Sequence, residues 1–143
     1  MPILQSGARF AARKMPKVIS PGAHAVLDYA VAGMFLLMGV RMWKSHRRAA
    51  LGSLACGTAA AVNSMLTDYP GGVARVIDYR THGRVDAGLA ALTAAAPRFL
   101  GFEDDAEARF FSGSALAETV VTGLTDYNYY ADDEEEHPLE AAG

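Results

Sequence analysis

The chain has 143 residues, 51% of them apolar and 20% charged, a balance that excludes a disordered or collagen-like polymer. Its 13 basic and 16 acidic side chains leave a net charge of −3, so no general electrostatic pull on nucleic acid is expected. The single cysteine, Cys56, excludes an intramolecular disulfide and any multi-cysteine zinc or iron–sulfur motif.

Residues 1–20 form a basic arm, with Arg9, Arg13, Lys14 and Lys17 and no acid. The arm lacks the continuous apolar stretch of a secretory signal and reads as a juxtamembrane segment in preference to a transit peptide. Four helical segments are expected next, over 22–43, 49–69, 82–102 and 110–127. Period-two alternation is absent from them, and long Ala and Leu runs favour helix over strand. Each approaches the roughly 20 residues that cross a hydrocarbon core of about 30 Å. Asp132, Asp133, Glu134, Glu135 and Glu136 open an acidic tail over 131–143, which should stay solvated because like charges repel and nothing in it can be buried.

The first two segments carry essentially no charge between Asp28 and Arg41 or between Arg48 and Asp68, which favours a membrane bundle over a soluble one with wide charged faces. The third begins among His82, Arg84 and Asp86, and the fourth contains Glu118. A charge near mid-bilayer costs about 2.5–3.5 kcal/mol, so these two are expected to insert only within a bundle, polar groups inward. Gly52, Ser53, Ala55, Gly57, Thr58 and Ala59, with Ser112, Gly113, Ser114 and Ala115, allow close backbone approach. The expected fold is an all-α integral membrane four-helix bundle made of two tandem helix hairpins, over 21–72 and 73–130. An even number of spans puts both ends of the chain on one side, and six basic residues on each side leave the orientation open. The partners implied are the lipid bilayer and a membrane protein or a second copy of the chain, with no nucleic acid.

Two polar motifs recur at one offset. His24 and Asp28 are matched by His82 and Asp86, and Leu66-Thr67-Asp68-Tyr69 by Leu124-Thr125-Asp126-Tyr127, with no gap between the motifs. Such a pattern reads as duplication of a helix pair in parallel orientation. His24 and Asp28 share one helix face about 6 Å apart along the axis, in the first turns of the first segment. With Asp68 and Asp126 placed in the last turns of the second and fourth segments, His24, Asp28, Asp68, His82, Asp86 and Asp126 converge at one end of the bundle.

Ile19-Ser20-Pro21, then His24 to Asp28-Tyr29 and Leu66 to Tyr69, resembles small bacterial membrane proteins of the SPW-repeat type. Ala96-Pro97-Arg98-Phe99-Leu100-Gly101-Phe102 is similar to that group's Ser-Pro-Trp element, with Arg98 in place of tryptophan. At the end of the first segment the element is replaced by Arg41-Met42-Trp43-Lys44. The likeness spans about residues 19–127 and implies a four-helix protein of the bacterial cytoplasmic membrane, with no chemistry attached.

Three readings of the six-residue cluster stay open. In the first it is a structural network: Ser20 and Asp78 cap helices, while His24 and His82 bond Asp126 and Asp68 across the bundle. An aspartate in a helix's last turn opposes the macrodipole by about 0.3–1 kcal/mol, which a cation would relieve. In the second reading the six residues hold a divalent metal, although the spacing His-x-x-x-Asp differs from the Glu-x-x-His of di-iron bundles; or His24 and His82 are axial ligands of a haem. In the third, Glu118, Thr122 and Asp126, spaced by four, form a proton or ion path.

The remaining candidates have bland readings. His46 and His137 are solvated, Cys56 is a small buried apolar residue, and Met34, Phe35, Leu36 and Met38 are packing. Tyr127, Tyr129 and Tyr130 fit an interfacial aromatic belt. The function expected overall is a non-enzymatic accessory or partner-binding membrane subunit, with metal or haem binding and ion handling as rivals.

Overall fold

A computed structural model describes residues 15–130. Among these residues the chain is all-helical: α1 is Pro21–Met42, α2 Arg47–Leu66, α3 Tyr79–Phe99 and α4 Ala108–Leu124. Most of the basic arm, the acidic tail and His137 lie outside the described residues.

Local chemistry fixes the helix starts. The Ser20 hydroxyl accepts the Ala23 N–H, with Pro21 as the first helical residue. Asp78 accepts the Thr81 N–H at 2.9 Å and the Thr81 hydroxyl at 2.6 Å, so α3 starts three residues before the expected boundary. The start of α2 is capped by an imidazole: His46 Nδ1 accepts the Ala49 N–H, while Nε2 pairs with Asp105 at 2.8 Å. His46 is therefore engaged and not merely solvated.

The helix ends depart from expectation, and the departure matters for the site. α2 stops at Leu66 and α4 at Leu124, because Thr67 (φ −81°, ψ 140°) and Thr125 (φ −85°, ψ 137°) are extended. Thr67 pairs in parallel with Ile77 just before α3, and Thr125 pairs with Ile19 just before α1. In both places one carbonyl, Leu66 or Leu124, accepts two successive N–H groups, those of Val76 and Ile77 or of Val18 and Ile19. Asp68 and Asp126 thus lie beyond the helices, not in their last turns.

The helices form two antiparallel hairpins, α1–α2 and α3–α4, joined along α2 and α3. Small residues set the approach of α1 to α2: a Cβ on Gly57 would lie 2.9 Å from the Phe35 Cβ and 3.0 Å from the Ala32 carbonyl. The Ser53 hydroxyl crosses this interface to the Phe35 carbonyl at 2.6 Å. Phe35, Phe102 and Phe111 fill the core toward the 43–46 turn, with Ala49 and Ala50 between them. Toward the other end the packing is aromatic and polar, built on Tyr69, Tyr79 and Tyr127 around Ala25.

α1 and α2 are long and apolar enough to cross a membrane by length and composition. Only 28% of the apolar stretch of α1 and 39% of that of α2 is buried inside the bundle. Leu37, Val40, Leu92 and Leu116 face outward.

Candidate metal centre

His24 and Asp28 stand in the first two turns of α1, and His82 and Asp86 in the first two turns of α3. The i,i+4 spacing puts each histidine under its aspartate on one helix face. Because α1 and α3 start at the same end of the bundle, the four side chains meet between the hairpins. One donor atom from each lies within 4.8 Å of the other three. His24 Nε2 is 3.2 Å from His82 Nε2, 3.2 Å from Asp28 Oδ1 and 3.0 Å from Asp86 Oδ2. His82 Nε2 is 3.1 Å from Asp28 Oδ2 and 2.9 Å from Asp86 Oδ2. Both histidines are fully buried, at 1% and 0% exposure.

Two threonines decide the tautomers. The Thr125 hydroxyl donates to the Val121 carbonyl at 2.7 Å, and that of Thr67 to the Asn63 carbonyl at 2.6 Å. With its one proton committed, each hydroxyl oxygen can only accept from the imidazole nitrogen beside it. Those nitrogens are His24 Nδ1, 2.9 Å from Thr125, and His82 Nδ1, 2.7 Å from Thr67. Both Nδ1 atoms are therefore assigned protons, the Asn63 carboxamide nitrogen 3.0 Å from His82 Nδ1 giving its own hydrogens to Asp86 and the His82 carbonyl. In the neutral imidazoles both Nε2 lone pairs then point into the space shared with the two carboxylates.

The carboxylates are held from outside in the same manner. Asp28 Oδ2 accepts the Tyr69 hydroxyl at 2.9 Å and the Ser64 hydroxyl at 3.3 Å. Asp86 Oδ2 accepts the Tyr127 hydroxyl at 3.2 Å, and its Oδ1 accepts the Asn63 carboxamide at 2.9 Å. Burial pushes the Tyr69 and Tyr127 phenols above their ordinary value, so both stay protonated as donors. Tyr79 seals this end, its ring stacked on His82 at 5.9 Å and edge-on to His24 at 6.0 Å. Gly83 makes room for Tyr127: a Cβ there would lie 2.7 Å from the ring.

Of the six residues expected to converge, four do. Asp68 is exposed and pairs with Arg75 at 3.6 Å, and Asp126 accepts the Asn128 N–H in a local turn. Neither bonds a histidine; the histidines pair instead with Asp28, Asp86 and the two threonines. Their neighbours in the doubled motif, Thr67 and Tyr69 with Thr125 and Tyr127, take the places around the cluster. Tyr127 belongs to this aromatic end and not to a belt on the outside. Bis-histidine haem ligation by His24 and His82 asks for the two nitrogens on opposite faces of a macrocycle. Here they are 3.2 Å apart, with carboxylate oxygens alongside.

The expected polar path is partly assembled. Glu118 and Thr122 line a cavity that His24, Asp28 and Asp86 also border, and Asp126 does not reach it. Asn63, on the neighbouring α2, serves Asp86. Cys56 borders the same cavity and accepts the Thr93 hydroxyl at 3.7 Å.

Comparison with protein-family models, curated proteins and solved structures finds no match to this chain.

Proposed function

We propose that the chain is a small multi-pass membrane protein that holds one divalent transition-metal ion between its hairpins, with His24, Asp28, His82 and Asp86 as ligands. One observation carries the reading. Four donor atoms converge, two carboxylate oxygens and two imidazole nitrogens whose protons are committed to the other ring position. Without a metal ion, only protons on the two Nε2 atoms, each about 3 Å from both carboxylates, could balance the charge of Asp28 and Asp86.

The spacing supports an ion. A tetrahedral site with bonds of about 2.0–2.1 Å separates its ligand atoms by about 3.3 Å, against the 2.9–3.2 Å spacings of the cluster. Two imidazoles with two carboxylates suit zinc, iron(II) or manganese, and a dication cancels the charge of Asp28 and Asp86. The hydroxyl, phenol and carboxamide groups around the ligands supply the outer contacts such sites use to orient their imidazoles and carboxylates.

Support for the membrane comes from the largely unburied apolar faces of α1 and α2 and the outward Leu37, Val40, Leu92 and Leu116. In bacterial cells this predicts a protein of the cytoplasmic membrane, retained in the pellet after alkaline washing. The metal is tested by elemental analysis of the full chain purified in detergent. About one equivalent of metal per chain is expected, falling to background in His24→Gln and His82→Gln. A metal-free protein that also fails to take up added Zn²⁺, Fe²⁺ or Mn²⁺ overturns the reading, and leaves the four side chains as a protonated clasp in an accessory subunit.

A further inference from the structure

Beside the cluster lies a cavity of about 190 Å³, reached by side chains from all four helices. At one end it meets His24, Asp28 and Asp86, three of the four proposed ligands. Seven residues further along each helix, about 10 Å by the helical rise, stand Phe35 after Asp28 and Thr93 after Asp86. Glu118 faces the same far region, and the wall between is aliphatic, from Val31, Leu89, Ala60 and Val121. An apolar cavity of about 150 Å³ is enough to bind benzene, so this one has the volume of a small aromatic or short alkyl group. The cavity lies under the seam between α1 and α4, which approach each other less closely than the helices within either hairpin.

From these features we infer that the cavity is a binding chamber for a small, neutral, mostly apolar molecule with one hydroxyl, such as a phenol or short alcohol, oriented with its oxygen toward His24, Asp28 and Asp86. The charges select the class. Glu118 borders the chamber opposite a cluster that the ion leaves neutral, so a carboxylate or phosphate meets an acidic lining with no balancing cation, and the aliphatic wall gives a charged amine no compensation for lost water. A neutral oxygen donor can approach the side of the cluster that the chamber leaves uncovered. The α1–α4 seam faces outward in the bundle, so such a molecule enters from the lipid in which it is already dissolved. The coordination part of this inference rests on the metal proposed above; occupancy of the chamber does not.

The test is fluorine NMR of the full chain in lipid nanodiscs with 4-fluorophenol. A saturable resonance distinct from the lipid-partitioned one is expected in the wild type. It is lost in Ala60→Phe, which fills the chamber without touching the cluster, and in Val121→Phe, which fills it from α4 should the first variant not fold. Equal spectra for the wild type and a folded filled variant overturn the inference. After loading with Co²⁺, confirmed by elemental analysis, the bound resonance shifts strongly, and His24→Gln abolishes that shift. A bound line that ignores bound Co²⁺ overturns the orientation. A bound line in a protein that takes up no Co²⁺ keeps the chamber and removes the metal.

Discussion

Thr125 holds the Nδ1 of His24 at 2.9 Å from 101 residues further along the chain. Thr67 does the same for His82, so each hairpin's closing threonine sets the proton of the other hairpin's histidine. Replacing Thr67 or Thr125 by valine removes the acceptor and frees the imidazole to turn or change tautomer. Metal affinity is expected to fall about 10–100-fold, the usual effect of losing an outer contact. Serine at the same position should restore most of it. Competition between each variant and a chromophoric chelator for Zn²⁺ measures the effect, and equal affinities for valine and threonine would remove the threonines from the site.

Ion binding to the folded state alone must appear as stability. At an ion concentration 100 times the dissociation constant the gain is about 2.7 kcal/mol. Adding a chelator to the purified wild type should therefore lower its Tm, and returning the metal should restore it. In Asp86→Asn, which lacks one of the two charges, the Tm should ignore the chelator.

At Gly83, beside His82 on α3, a methyl group has no place, since it would meet the Tyr127 ring at 2.7 Å. Gly83→Ala should displace that ring, cost about 1–3 kcal/mol in thermal or denaturant unfolding, and weaken metal binding by releasing the phenol from Asp86. Tyr127→Phe keeps the ring and removes only the hydroxyl, so it should weaken the metal with little loss of fold stability.

The far end of the bundle has its own pH dependence. Donation from Nε2 to the Asp105 carboxylate holds the His46 imidazole above its ordinary value of 6.5. The stabilisation from the charged pair is therefore present below that ordinary value and disappears as pH rises through the raised one, partly offset because the imidazolium Nδ1 gives up the Ala49 N–H and recovers it on deprotonation. In melting experiments the wild type should exceed Asp105→Asn most at acidic to neutral pH, with the gap closing in alkali. The pair is solvent-facing, so high salt should shrink the gap throughout.

Asp78 behaves in the opposite sense. The Thr81 hydroxyl and N–H hold its carboxyl below the ordinary 3.8. Its contribution is present above that ordinary value and is lost as pH falls through the lowered one. Asp78→Ala should cost about 0.5–2 kcal/mol at neutral pH, and Asp78→Asn much less, because the amide oxygen still caps α3.

The doubled His-x-x-x-Asp spacing was enough to place four of the site residues, because a helix puts i and i+4 on one face whatever surrounds it. The helix ends were not legible. Reading α2 through Tyr69 turned Asp68 toward the cluster, whereas the parallel pairing of Thr67 with Ile77 ends the helix at Leu66. In extended backbone the side chains alternate, so Thr67 and Tyr69 turn inward and Asp68 turns out. The same shift from a period of 3.6 to one of 2 moves Asp126 out and brings Thr125 and Tyr127 in. The signal was present, since Leu-Thr-Asp-Tyr recurs whole and not only through its aspartate. What no single chain reveals is a pairing between Thr67 and Ile77, ten residues apart with a turn between.

The crossed threonines also fix an order in time. The imidazole of His24 emerges from the ribosome more than a hundred residues before the hydroxyl that orients it. Until α4 has packed against the first hairpin and Tyr127 has closed over Asp86, the first hairpin presents an imidazole and a carboxylate with nothing to enclose. If the proposed ion binds there, its loading is the final event of biogenesis, and a chain truncated before Thr125 should take up no metal.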